Sequence, residues 1–303
     1  MSVLSLFDGM SCGQIALSRI GANVGNYYAS EIDKNAIKVT KYNYPNTQHL
    51  GDVIKWREWD IDWESIDLLI GGSPCQDFSI LKVFNGETQQ GYGLKGVKSK
   101  LFYTYLEILS HLREVNPKIE FLLENVKMKK ESEASLNKYL GVKGVHINSE
   151  VLSFQRRPRI YWSNIIFDQP KDKNISFQDY KSTDDRLLLE AATNKTPSRY
   201  SMWNEGLGRT NIKSCKNVTL SDKVGCLTVK QDRAPNSGLV EYKDFCRYLT
   251  REELELAQTV PVGYTKCLSY RQAQAVLGNG WTVDVIAHIL KNSSSIPNNI
   301  MVK

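Results

Sequence analysis

Strand-like runs punctuate the first 125 positions: Val3 to Phe7, Tyr27 to Ser30, Asp67 to Ile70 and Glu120 to Leu123. Each is closed at once by a polar or glycine-containing turn. Short apolar runs alternating with longer amphipathic stretches give the βαβ order of a parallel sheet. Between them Leu101, Tyr105, Ile108, Leu109 and Leu112 recur at helical spacing, which predicts a helix laid on the sheet by one face. The expected fold class is α/β, a doubly wound Rossmann-like sheet whose ligands bind at the carboxyl ends of the strands.

After Ser163 the pattern changes. Pro170, Pro197 and Pro235 punctuate a polar region with short β-like pieces, Asn217 to Leu220 and Gly225 to Lys230, which reads as a second, smaller and irregular domain. Helical periodicity returns over Thr250 to Gln258, Tyr270 to Val276 and Val283 to Leu290, before an Asn/Ser-rich tail from 292.

Composition changes this picture little. The chain has 303 residues, 41% hydrophobic and 24% charged, ordinary for a folded protein. The net charge of +6 admits a polyanionic partner without requiring one. Its placement says more, because Lys195 to Arg233 holds eight basic residues against three acidic ones, most of the surplus. The six cysteines, at 12, 75, 215, 226, 246 and 267, form no CxxC pair, so neither a metal site nor a disulfide framework is expected. Without an apolar stretch of membrane-spanning length or a signal-peptide pattern, the expected location is cytoplasmic, nucleoid-associated in a bacterium or in the host cytoplasm for a phage protein.

The candidate chemistry gathers at the strand ends. Phe7-Asp8-Gly9-Met10-Ser11-Cys12-Gly13 follows the first strand and leads into a helix near Gln14, with two glycines where backbone must approach a ligand. Glu31 lies 18 residues beyond Gly13 at the end of the second strand, placed to accept hydrogen bonds from ribose hydroxyls, and Asp52 in Gly51-Asp52-Val53 could hold an adenine amine. Singly, each acid reads first as a solvated turn residue or a helix cap. Cys75, in Gly71-Gly72-Ser73-Pro74-Cys75-Gln76-Asp77-Phe78-Ser79, stands at a strand end, where a thiol is more exposed and more reactive than one buried inside an element. Lys82 to Lys100, with four glycines and four lysines against one glutamate, reads as a mobile basic loop. Glu124, in Leu123-Glu124-Asn125-Val126, puts a carboxylate at the mouth of another buried strand. A thiol and an acid in one crevice can divide the work on a heterocycle, one attacking a ring carbon while the other binds and protonates a ring nitrogen. Gln155-Arg156-Arg157-Pro158-Arg159 adds three cations for phosphate or carbonyl contacts, or simply makes a basic edge strand.

Taken in order, these blocks resemble the cytosine-C5 DNA methyltransferases over residue 3 to about 290, excluding roughly 170 to 240. The resemblance assigns Phe7, Asp8, Gly9, Met10, Ser11 and Gly13 to the cofactor loop, and Glu31, Ile32, Asp52 and Val53 to the next two cofactor blocks. Ser73 and Pro74 complete the catalytic loop around Cys75, and Asn279, Gly280 and Trp281 of Gly278-Asn279-Gly280-Trp281 form the last cofactor segment. The implied cofactor is S-adenosylmethionine. Most bacterial members have a second proline before Pro-Cys and a Phe-Ala-Gly first loop. Ser73, Asp8-Gly9 and Trp281 look instead like the vertebrate de novo subgroup.

By the same resemblance residues 1–168 and 264–303 form one discontinuous catalytic domain, and 169–263 hold the target-recognition domain and the motif that follows it. Cys75 would add to C6 of a cytosine, Glu124 would bind its amine and N3, and Arg157 and Arg159 would hold its carbonyl and order the cysteine loop. A stacked base is out of reach, so flipping from double-stranded DNA is implied. Gln76, Ser79, Asn125, Val126 and Gln155 would line the substrate side, and Arg199, Arg209, Lys213, Lys216 and Arg233 would meet DNA. No metal is expected, and the oligomeric state stays open with a monomer favoured. Two alternatives stand beside this reading. One is a methyltransferase of transfer RNA, disfavoured because the Cys-Phe-Thr signature of that branch is absent; the other is a noncatalytic DNA-binding regulator, disfavoured by intact Cys75, Glu124 and QRRPR.

Overall fold

The structure, a computed structural model, describes residues 1–72, 97–206, 216–232 and 236–296, without the side chains of 97–100 and 204–206. Among them β1 (Ser2–Leu6), β2 (Asn26–Ser30), β3 (Gln48–His49), β4 (Ile66–Gly71), β5 (Glu120–Val126), β6 (Val145–Asn148) and β7 (Pro158–Ser163) form a seven-stranded sheet in the order β3-β2-β1-β4-β5-β7-β6. The first five run parallel, and β7 enters antiparallel between β5 and β6. Strand order reverses between β1 and β4, which opens a crevice outside their carboxyl ends.

Period-two alternation divides the core between the two faces of the sheet. Val3, Leu68, Ile70 and Leu122 point to one face, where α1 (Cys12–Arg19), α8 (Tyr270–Asn279) and α9 (Val283–Leu290) cover them. Leu4, Leu69, Phe121 and Leu123 point to the other, against Tyr105, Ile108, Leu109 and Leu112 of α3 (Val97–Val115). The central strands therefore carry unbroken apolar runs because neither face meets water. Helices α2 (Lys34–Asn43) and α4 (Lys130–Leu140) complete the crossovers. The C-terminal helices thus return to the core laid down by the N-terminus: α9 packs on α1, and Arg19 is ion-paired with Asp284.

Four of the expected strands stand where the pattern puts them, within three residues, and the expected helix over Leu101 to Leu112 lies inside α3. The stretch read as a loop up to Lys100 is already helical from Val97. The β-like pieces at Asn217–Leu220 and Gly225–Lys230 are not strands: Asn217 forms one bridge to Leu239, and Val224, just before the second piece, forms one to Gln155. The hairpin of this region lies later, as β8 (Val240–Tyr242) and β9 (Phe245–Arg247), beside α5 (Asp185–Ala191) and α6 (Pro197–Gly206). Trp203, Leu239, Phe245, Cys246 and Tyr248 give this part a small core of its own. Arg247 and Glu253 join it to α7 (Arg251–Ala257) through a buried two-bonded ion pair at 2.7 and 2.9 Å, and the same carboxylate completes the Thr250 capping box.

Candidate active site

The first turn of the site is made by backbone shape. After β1, Phe7, Gly9 and Ser11 all adopt left-handed φ values, 57°, 59° and 61°, so the chain coils tightly before α1. Two of the three are not glycine, a local strain that persists only where its surroundings hold it. The Gly9 N–H donates to Glu31 Oε2 at 2.8 Å, while Glu31 Oε1 accepts from the N–H groups of Ile32 and Asp33. Three backbone donors thus fix this carboxylate at the end of β2. Asp52 caps the short 3-10 turn Val53–Glu58 by accepting from Ile54 N at 3.0 Å. The cap reading of Asp52 therefore holds, and the residue also lines the crevice.

These groups line a cleft of about 440 Å³ that continues from Phe7, Gly9, Glu31, Ile32, Asp52 and Val53 to Gly72, Glu124, Asn125, Val126, Arg157, Arg159, Gly278 and Asn279. Ile32 is 71% exposed there, a bare apolar side chain between two acids. An adenosyl group suits this part of the cleft: a flat ring for Ile32, ribose hydroxyls for Glu31 and an exocyclic amine for Asp52. Among the described residues no group of three or more His, Cys, Asp or Glu side chains is placed to hold a metal.

At the far end of the cleft stands Glu124, largely buried. Its Oε1 accepts from Arg159 Nε at 2.8 Å and its Oε2 from Trp281 Nε1 at 3.2 Å. The pairing follows from sheet register, since β7 runs antiparallel beside β5 and sets Arg159 opposite Val126, two residues along from Glu124. Burial works against the Arg159 charge, yet the Glu124 carboxylate and the Cys226 thiol outweigh it and raise the guanidinium pKa.

Arg157 lies two residues away and does something different. Its guanidinium is buried and donates to Leu227 O at 3.0 Å, Gly278 O at 3.1 Å, Gly280 O at 2.9 Å and Cys226 Sγ at 3.3 Å. One side chain thereby joins β7, the segment around Leu227 and the return segment after α8. Burial first, and then repulsion from Arg159, lowers its pKa. Gln155, fully buried, spans the same segments through Ala257 O, Gln258 Oε1 and Leu227 N, so it is a bridge rather than a wall of the cleft.

The structure also turns several residues of the first loop away from the cleft. The Asp8 carboxylate is buried and accepts from Tyr27 OH at 2.7 Å and from Ser11 Oγ; burial raises its pKa from 3.8 to about 6. Met10 and Ser11 are buried, and a Cβ at Gly13 would stand 2.4 Å from Ile70 Cδ1, so that glycine serves close packing of α1 on the sheet. Of this loop only Phe7 and Gly9 line the cleft. Buried Cys12, hydrogen-bonded to Trp281 O with its pKa pushed up to about 12, is no rival nucleophile.

Ser73, Pro74, Cys75, Gln76, Ser79, Arg209, Lys213 and Arg233 lie outside the described residues. Lys216 is exposed, and Arg199 is half-buried beside Cys246 and Tyr248. Lys195 is ion-paired with Asp244, and Lys223 is spent on the carbonyls of Glu150, Ser153 and Ile175. Sequence reasoning missed Cys226, whose sulfur meets both arginines, and Gln258, which donates to Gly280 O. It also passed over exposed Lys127, Lys129 and Lys130, three cations leaving the mouth of β5. That cluster, directly after Glu124-Asn125-Val126, was visible in the sequence.

Comparison with known proteins agrees with this geometry. The family model described as C-5 cytosine-specific DNA methylase matches residues 1–196. Among curated proteins the chain is similar to the orphan methyltransferase M.SPRI of Bacillus phage SPR, 33% identical over 200 residues, covering 61% of this chain and 42% of that one. It is also similar to the type II methyltransferase M.Sau96I of Staphylococcus aureus, 36% identical over 129 residues, covering 42% of this chain and 27% of that one. The matches thus span less than half the length of these relatives. Among solved structures, the Entamoeba histolytica methyltransferase EhMeth shares the fold with a TM-score of 0.68 at 15% identity, covering 96% of this chain and 97% of that one. Spodoptera frugiperda DNMT2, as a triple mutant, does so with a TM-score of 0.65 at 18% identity, covering 96% and 98%. With the family model covering well over half of the sequence, the chain belongs to the C-5 cytosine-specific DNA methylase family.

Proposed function

We propose that the chain is a DNA (cytosine-5-)-methyltransferase that moves a methyl group from S-adenosylmethionine to C5 of a cytosine flipped out of duplex DNA. The observation that carries this reading is the single cleft that holds Glu31 and Asp52 at one end and the Glu124–Arg159 pair at the other. Residues 1–168 and 264–303 would be the catalytic domain, and 169–263, with its separate small core and basic surplus, the part that meets DNA.

Glu31 would hold the ribose, Asp52 the adenine amine, and Ile32 the adenine face. When bound, the cofactor supplies an electrophilic methyl group on a sulfonium. Cytosine C5 is too weak a nucleophile to take it unaided, so covalent activation is needed. The Cys75 thiolate adds to C6, and the C5–C6 π pair moves toward C5. Glu124 accepts from the exocyclic amine and, protonated, donates to N3, which stabilises the adduct. Arg159 keeps Glu124 oriented, and the N–H groups that it does not give to Pro158 O and Cys226 Sγ would meet the base carbonyl. Arg157 acts behind it by holding the return segment in place. Once C5 has taken the methyl group and the sulfonium has become a neutral thioether, the C5 proton passes to water, its bonding pair re-forms the C5–C6 double bond, and the C6–S pair leaves with Cys75 as the thiolate.

A radiolabelled methyl-transfer assay on duplex DNA and on transfer RNA tests the reading, with Cys75→Ser as control. Labelling of DNA by the native chain alone is expected. Labelling of transfer RNA alone would favour the RNA enzyme, and labelling of neither a noncatalytic regulator.

A further inference from the structure

Glu124 and Trp281 are 157 residues apart in sequence and meet inside the fold. Trp281 is 9% exposed, and its indole N–H is a donor that cannot be left unpaired without cost. The approach depends on Gly72: a Cβ there would lie 2.8 Å from Trp281 Nε1 and 3.1 Å from Glu124 Oε2. The turn that carries the indole is held by its backbone, with Gly280 O taken by Arg157 and Gln258, and Trp281 O by the Cys12 thiol. That turn lends Gly278 and Asn279 to the cleft wall, while the Trp281 indole stands behind Glu124.

We propose that Trp281 is a positioning residue for Glu124 rather than only a part of the cofactor wall. A glutamate carboxylate rotates easily about its last torsion. Arg159 fixes one oxygen and Trp281 the other, so the plane is set and the lone pairs left over face the cleft. The donor on Oε2 is neutral, so it orients the carboxylate without placing a second cation beside the base. The proposal rests on reading Glu124 as the group that engages the cytosine amine and N3.

Trp281→Phe keeps the aromatic face and removes the N–H. Under single turnover the methyl-transfer rate should fall by about tenfold to a hundredfold, the scale of a misaligned reacting group. S-adenosylmethionine affinity should stay within about twofold. In a Glu124→Gln background the same change should cost no more than about twofold, because the two residues act as one unit. An unchanged rate, a loss of cofactor affinity that accounts for the rate, or an equal loss in both backgrounds would overturn the role. Whatever the activity, the Trp281 indole N–H resonance of the 15N-labelled native chain should move in Glu124→Gln, and an unmoved resonance overturns the contact. A native chain that methylates no DNA yet shows the moved resonance would overturn the functional reading, and with it the role, while the contact stands.

Discussion

Arg157 Nη2 and Gln258 Nε2 donate to the same carbonyl, that of Gly280, at 2.9 and 3.0 Å. Two side chains from opposite sides of the middle region therefore converge on the turn that carries Trp281. Arg157 and Arg159, two of the three arginines of QRRPR, consequently differ in kind: one braces backbone, the other faces a carboxylate.

They should part on mutation. Arg157→Met leaves buried carbonyls unpaired and should lower stability by about 2 to 4 kcal/mol, with activity falling as a consequence. Arg159→Lys keeps a charge beside Glu124 but loses the planar fork, so it should cut turnover by at least about tenfold while stability changes by less than about 1 kcal/mol. Urea denaturation beside methyl-transfer rates separates the two, and equal stability losses would remove the distinction.

Asp8 predicts a pH dependence. Its folded pKa is raised from 3.8 to about 6, by burial first, partly offset by hydrogen bonds from Ser11 and Tyr27. Its contribution to stability is therefore complete below its unfolded pKa and is lost as pH rises through about 6. Asp8→Asn removes that titration, so its stability relative to the native chain should rise between about pH 4 and pH 7, by on the order of 3 kcal/mol at most. Parallel stability curves over that interval would mean that Asp8 does not titrate there.

Glu31→Ala and Asp52→Ala should each weaken S-adenosylmethionine binding by about 1 to 3 kcal/mol in calorimetry. Asp52→Ala should also lose about 1 kcal/mol of stability, because Asp52 caps the 3-10 turn. Unchanged affinity in both variants would return the acids to purely local roles.

The strands and their ends were legible because buried parallel strands are contiguous apolar runs and their polar terminators are where chemistry can sit; Glu31 and Glu124 were found that way. Helix α2 buries Ala36, Val39 and Thr40 at helical spacing, but only Val39 of these is a large apolar residue, and β3 is two residues long, so neither stands out as an apolar pattern. The loop Phe7 to Gly13 reads as a ligand contact throughout, yet which side chains face the cleft is decided by left-handed turns and by Tyr27, a residue from the next strand. Arg157 and Trp281 act through partners more than a hundred residues away, and no local pattern encodes such a meeting.

Lys127, Lys129 and Lys130 leave the mouth of β5 exposed, next to the Glu124 end of the cleft. Replacing all three with alanine should weaken DNA binding evenly across sequences and flatten the salt dependence by about 0.9 for each phosphate no longer neutralised. Replacing Lys213 and Lys216 should do the same from the recognition side. Titrations at several salt concentrations measure both slopes, and slopes equal to that of the native chain would place the DNA elsewhere.

The central claim, attack by Cys75 at C6 in a cleft where Glu124 holds the base, is tested most directly with duplex DNA containing 5-fluorocytosine. Fluorine at C5 cannot leave as a proton does, so the elimination that frees the enzyme is blocked after methyl transfer. The native chain with S-adenosylmethionine should form a complex with this DNA that survives denaturing electrophoresis, and Cys75→Ser should form none. No denaturation-resistant complex with the native chain, under conditions in which it methylates ordinary cytosine, would contradict covalent attack at C6.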